Sequence, residues 1–138
     1  MSEAELLAMI CGQLGASPAD TEQIVASGCL QLDEVDLVVR LDEDTQQLEI
    51  LADCGVPAPS QEHGVFRHLL HDALTNTLPA IAFGVHPRSG CIVGKATVFA
   101  PLITPEDPLC APLMQLLATR ARELREQFAL RPAREGFA

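Results

Sequence analysis

The feature that most constrains this chain is the order in which its apolar residues change period: a helical rhythm, then alternation, the rhythm again, alternation again, and a last helical stripe. Ser2, Glu3, Ala4 and Glu5 read as a capping box, and Leu6, Met9, Ile10 and Leu14 follow at helical spacing, with Leu7 widening the face and Gly15 as the stop. This predicts a first helix over residues 4–14. Ser17 and Pro18 form another start signal that Gly28 closes, which leaves a short helix and an irregular connection equally open. Strand-like runs come next at 29–32, 35–41 and 47–52. The polar cluster Asp42, Glu43, Asp44, Thr45 between the last two makes them an antiparallel hairpin.

Two prolines in residues 55–60 block regular structure before a second helix, expected over 61–75, whose stripe is Phe66, Leu69, Leu70, Ala73 and Leu74. Residues 80–86 are nearly all apolar, as in a central strand buried on both faces. The turn Pro87–Gly90 leads into a returning arm, 91–100, which carries the only lysine, Lys95. Gly84 and Gly94 inside these arms mark bulges or a close backbone approach. Four prolines between 101 and 112 push the safe core of the last helix to 111–127, with room for a separate short turn before it. Its stripe is Leu113, Met114, Leu117, Ala121, Leu124 and Phe128. The expected class is α+β in a single domain: helix, three strands, helix, two strands, helix, with an antiparallel twisted sheet flanked by helices. Residues 1–128 form the domain, and 129–138, without pattern, are expected to be a disordered tail.

Charge narrows the possible partners. Residues 1–62 hold thirteen carboxylates against one base, Arg40; the remainder hold six carboxylates and eight bases, for a formal net charge of −10. With 48% apolar residues this is no disordered acidic tail. The acidity argues against nucleic acid and against an anionic membrane surface. No apolar run approaches the ~20 residues of a membrane span. The opening residues have no basic segment before an apolar run, so no secretory signal is expected, and the cytoplasm is the expected location. Cys11, Cys29, Cys54, Cys91 and Cys110 are widely and irregularly spaced, with no Cys-x-x-Cys; they read as small buried hydrophobes in a reducing compartment.

No catalytic set emerges. His68 and His71 lie one turn apart on the second helix, but a third ligand and an activating glutamate are missing for zinc. The acidic turn lacks the spacing of a calcium loop. Gly84 to Gly94 lacks the phosphate-loop pattern. Nothing places positive charge or a helix start beside Cys54 or Cys91 to activate a thiol. No metal, no cofactor and no enzymatic activity are expected.

The order of elements, the length and the acidity resemble the dimeric chaperones of type III secretion effectors, the CesT or Tir-chaperone family. The resemblance runs from about Leu6 to Phe128. It rests on Val38–Leu41, on Leu48–Gly55, on Leu69, Leu70 and Asn76, on Ala82–Gly90, and on Ala121 with Leu124–Glu126. It implies a homodimer paired through the second helix and the neighbouring strand, with Phe66, Leu69, Leu70, Leu74, Ile81 and Phe83 as interface candidates. It also implies that the N-terminal segment of a secreted effector wraps the dimer in a non-globular state. Its side chains would enter apolar patches for which Leu6, Leu7 and Ile10 on helix one, and Val38, Leu48 and Ile50 on the sheet, are candidates. A strand added to a free sheet edge and the secretion apparatus as a further partner belong to the same expectation. Two rivals stand beside it: a ligand-binding protein or enzyme with a pocket near Cys54, His71 and His86, and an adaptor that binds a folded partner through its acidic edge.

Overall fold

A computed structural model describes residues 2–75, 81–133 and Phe137. The capping box forms as read: Ser2 Oγ accepts from the Glu5 N–H and a Glu5 carboxylate oxygen accepts from the Ser2 N–H, both at 3.3 Å. It opens α1 (Glu3–Leu14), which Gly15 ends. The open question at Ser17 resolves as a helix, α2 (Pro18–Ser27), because Ser17 Oγ accepts the Asp20 N–H at 3.2 Å and Pro18 takes the first turn. Then come β1 (Cys29–Leu32), β2 (Val35–Asp42) and β3 (Gln47–Gly55). A 3₁₀ turn at Pro59–Gln61 leads into α3 (Glu62–Thr75), followed by β4 (Ile81–Val85) and β5 (Ile92–Phe99). A second 3₁₀ turn at Ala100–Leu102 precedes α4 (Cys110–Phe128).

The five strands form one antiparallel sheet in the order β1-β2-β3-β5-β4, with both hairpins as expected. The central strand is β3, not the apolar run after the second helix. That run, β4, is an edge: Ile81 is buried, but Ala82, Gly84 and Val85 are exposed and Phe83 is half-buried. Its expected first residue, Ala80, lies outside the described residues, as does Asn76. A run of apolar residues signals a need for cover without saying which surface supplies it.

One face of the sheet carries the core. Val35, Leu37 and Val39 of β2, Leu48, Ile50 and Ala52 of β3, and Ile92, Ala96 and Val98 of β5 lie with Leu6, Leu7 and Ile10 of α1 and Met114, Leu117, Ala118 and Ala121 of α4 in one buried cluster. Gly94 permits the tight seating of α4, since a Cβ there would stand 2.9 Å from Leu117 Cδ1 and 3.1 Å from the Phe83 ring. This burial corrects the expected client surface. Leu6, Leu7 and Ile10 are each 1% exposed, and Leu48 and Ile50 are fully buried. α1 packs against α2 and α4, and alternation turns Leu48 and Ile50 toward the helices. Val38 alone of those candidates sits on the opposite, outer face, half-buried.

The stretch expected to be a free tail is docked over most of its described part. Leu130 is buried, and Arg131 forms an antiparallel bridge with Val56 through bonds of 2.6 and 3.2 Å. Phe137, 5% exposed, joins Leu51 and Cys91 on the outer face, with Val38, Val56, Val93 and Ala133 around them. Residues 134–136 and 138 lie outside the described residues. Among the described residues no helix is long and apolar enough to cross a membrane.

Candidate functional site

α3 carries an uncovered apolar surface, and the edge strand β4 lies beside it. The stripe predicted from periodicity is present, yet Val65 is the only buried residue of α3. Phe66 and Leu69 reach the edge of the core, while Leu70 and Leu74 are 74% and 86% exposed. Val85 on β4 is exposed as well, at 45%. Ile81 is covered by its own chain and Phe83 partly so. The interface candidates therefore divide: Leu70 and Leu74 face solvent, Phe66, Leu69 and Phe83 lie at the rim, and Ile81 belongs to the core. Leaving Leu70 and Leu74 wet forgoes about 1.5–3 kcal/mol each compared with burial. Between α3 and α4 a cleft of about 180 Å³ is lined by His68, Asp72, Arg120 and Glu123, among others. His68 also meets Phe128 edge-on, with ring centroids 5.3 Å apart.

Two further concave surfaces follow from the topology. At the opposite edge, α2 and β1 enclose a groove of about 510 Å³ with Leu14, Ile24, Leu30 and Leu32 in its lining. On the outer face, a groove of about 540 Å³ runs between Phe137 and β4, lined by Arg40, Leu51, Ala82, Val93 and Lys95 among others.

A buried polar set holds the described residues that lead toward Phe137. Asp53, 1% exposed, is the one buried charged residue among those described. Its Oδ1 accepts from the Gly55 N–H at 2.9 Å and from Cys91 Sγ at 3.1 Å; its Oδ2 accepts from the Ala133 N–H at 3.2 Å. Arg125 Nη2 lies 3.7 Å from Oδ2 and donates to the Asp53 carbonyl at 2.6 Å. Periodicity missed this set. Its only trace in the sequence is one acid inside the apolar run Ile50–Gly55; the arginine and the C-terminal residues that answer it lie far along the chain.

The reactive-thiol reading finds no support. Burial pushes the thiols of Cys54, Cys91 and Cys110 up to about 12, aided at Cys91 by its bond to the Asp53 carboxylate. Cys29 departs from expectation: it is exposed, because it starts the edge strand β1 on the outer face. His71 is exposed on α3, and His86 Nδ1 accepts the N–H groups of Arg88 and Ser89 in the β4–β5 turn, at 3.2 and 3.3 Å. Among the described residues no group of three or more His, Cys, Asp or Glu could hold a metal.

No protein-family model matches the chain, and neither does any curated protein. Solved structures do match. A chain of the HopA1–SchA chaperone–effector complex is 16% identical with a TM-score of 0.64, covering 88% of this chain and 91% of that one. A chain of the ExsC–ExsE complex is 21% identical at 0.64, over 96% and 95%. A chain of the Yersinia pestis type III secretion chaperone SycH in complex with a stable fragment of YscM2 is 15% identical at 0.61, over 89% and 99%. At such identities the likeness is one of fold, and it spans nearly the whole of each chain.

Proposed function

We propose that the chain is a cytoplasmic, ATP-independent, non-catalytic chaperone that acts as a homodimer and holds the N-terminal region of a type III secreted effector in a non-globular, secretion-competent state. The carrying observation is the open apolar edge of α3 and β4, with Leu70, Leu74 and Val85 exposed, on a fold shared with chaperone complexes. Covering that edge with a second copy gives a two-fold assembly in which the same patch serves both partners. The raised thiols support binding over chemistry, since a protonated buried thiol is a poor nucleophile.

With α1 buried, the client surface shifts to the other edge. Among the described residues β1 pairs only with β2, which leaves a free row of main-chain groups beside the groove that contains Leu30 and Leu32. An extended segment could add there as a strand, with alternate side chains in the groove. The ordering cost of a disordered client, on the order of 2–5 kcal/mol, is offset by the length of surface wrapped. The secretion apparatus is a further partner in this reading.

The test is co-expression with N-terminal segments encoded by neighbouring genes, followed by limited proteolysis of what co-purifies. A captured segment that is protected only in complex supports the proposal. Capture of a partner that stays folded, or of none, contradicts it.

A further inference from the structure

We propose that the outer-face groove between Phe137 and β4 receives a client segment carrying a bulky apolar residue beside a carboxylate. This rests on the chaperone reading and names a site and a client chemistry for it.

The charge placement is the first argument. Arg40 is the single base of residues 1–62 and Lys95 the single lysine of the chain, and both line this groove in a protein of net charge −10. Neither is needed to fill the core, because both side chains lie on the outer face and are exposed. Glu49, directly across from Arg40 in the register, lies 3.5 Å from Lys95. Among the described residues of its lining, Arg40 and Lys95 bring two cations and no carboxylate, and Glu49 beside them offsets one. An acidic segment is thereby attracted here and repelled by most of the remaining surface.

The wall is the second argument. Leu51, Ala82, Val93 and Phe137 give the groove an apolar lining, and about 540 Å³ suits a large side chain with some of its main chain. Phe137 belongs to a buried cluster, so it bounds the space instead of filling it. Residues 130–133 on the approach to it are held in place. Gly55, at φ +103°, lets them pass: a Cβ there would stand 2.7 Å from Leu130 Cβ and 2.9 Å from the Arg131 carbonyl oxygen. Asp53 then holds the Ala133 N–H. Among the described residues, the one buried charged side chain thus holds Ala133, four positions before Phe137.

The probe is 1-anilinonaphthalene-8-sulfonate, an apolar ring system bearing an anion, followed by amide NMR shifts. Shifts clustering on Leu51, Ala82, Gly84, Val93 and Lys95 are expected. The R40E/K95E variant should weaken that binding about tenfold while keeping the circular-dichroism spectrum of the folded chain. Phe137→Ala should weaken it too, and Phe137→Leu should retain it. Shifts confined to α3, or an affinity unchanged in R40E/K95E, would overturn the inference. An effector segment captured by co-expression should displace the dye from these residues. Capture without displacement overturns the inference and leaves the chaperone reading standing; capture of no segment removes that reading and this inference with it.

Discussion

α4 and α3 carry apolar stripes of similar quality and meet opposite fates. In α4 the residues Met114, Leu117, Ala118 and Ala121 are fully buried against the sheet; in α3 only Val65 is buried, and Leu70 and Leu74 stand in solvent. A periodic stripe states that a surface needs cover. Whether the chain or a second molecule supplies it depends on where the topology puts the helix. α4 lies across β3 and β5 in the middle of the sheet, while α3 contacts the edge strand β4 and the 3₁₀ turn before it.

The comparison predicts that damage to the closed side lowers the stability of each chain, whereas damage to the open side changes assembly alone. The largest loss is expected at Arg125→Ala, about 3–5 kcal/mol by denaturant unfolding, because Asp53 would keep a buried, uncompensated charge. Leu117→Ala should cost about 2–5 kcal/mol in the same assay by opening a cavity under β5. Gly94→Val should cost about 1–3 kcal/mol, since Leu117 and Phe83 leave no room for the added atoms. Leu70→Ala, by contrast, should move the unfolding midpoint of the isolated chain by less than about 0.5 kcal/mol. A large loss there would mean that α3 is held by its own chain and would erase the contrast.

What was legible in the sequence was local. The Ser2 and Ser17 caps and both hairpin turns draw their bonds from residues a few positions apart, so their patterns appear in order along the chain. The α3 stripe could be read, but its partner could not. For the same reason β4 looked like a central strand and is an edge, and the α1 stripe of Leu6, Leu7 and Ile10, which periodicity could not divide between core and client surface, is core. The docking of the C-terminal stretch was invisible, because Ala133 meets Asp53 across 80 positions and the residues that hold it carry no period. The division of Phe66, Leu69, Leu70, Leu74, Ile81 and Phe83 into core, rim and solvent required the fold.

The smallest expected effects concern the thiols. Cys54, Cys91 and Cys110, raised to about 12 from an ordinary value near 9, hold their protons more tightly folded than unfolded. Their contribution to stability is therefore complete below pH 9 and is lost as pH rises toward 12. Unfolding followed at pH 7, 8.5 and 10 should show a plateau and then a decline. In the native protein at pH 8, iodoacetamide should modify the exposed Cys29 well before the four buried cysteines.

Sedimentation of the wild-type chain at micromolar concentration, run beside Leu70→Asp, tests most directly whether a second copy covers the α3–β4 edge. The wild type should sediment at twice the 14.8 kDa chain mass, and the variant at the single-chain mass with an unchanged circular-dichroism spectrum. A wild type that stays at 14.8 kDa, or a variant that stays paired, would contradict it.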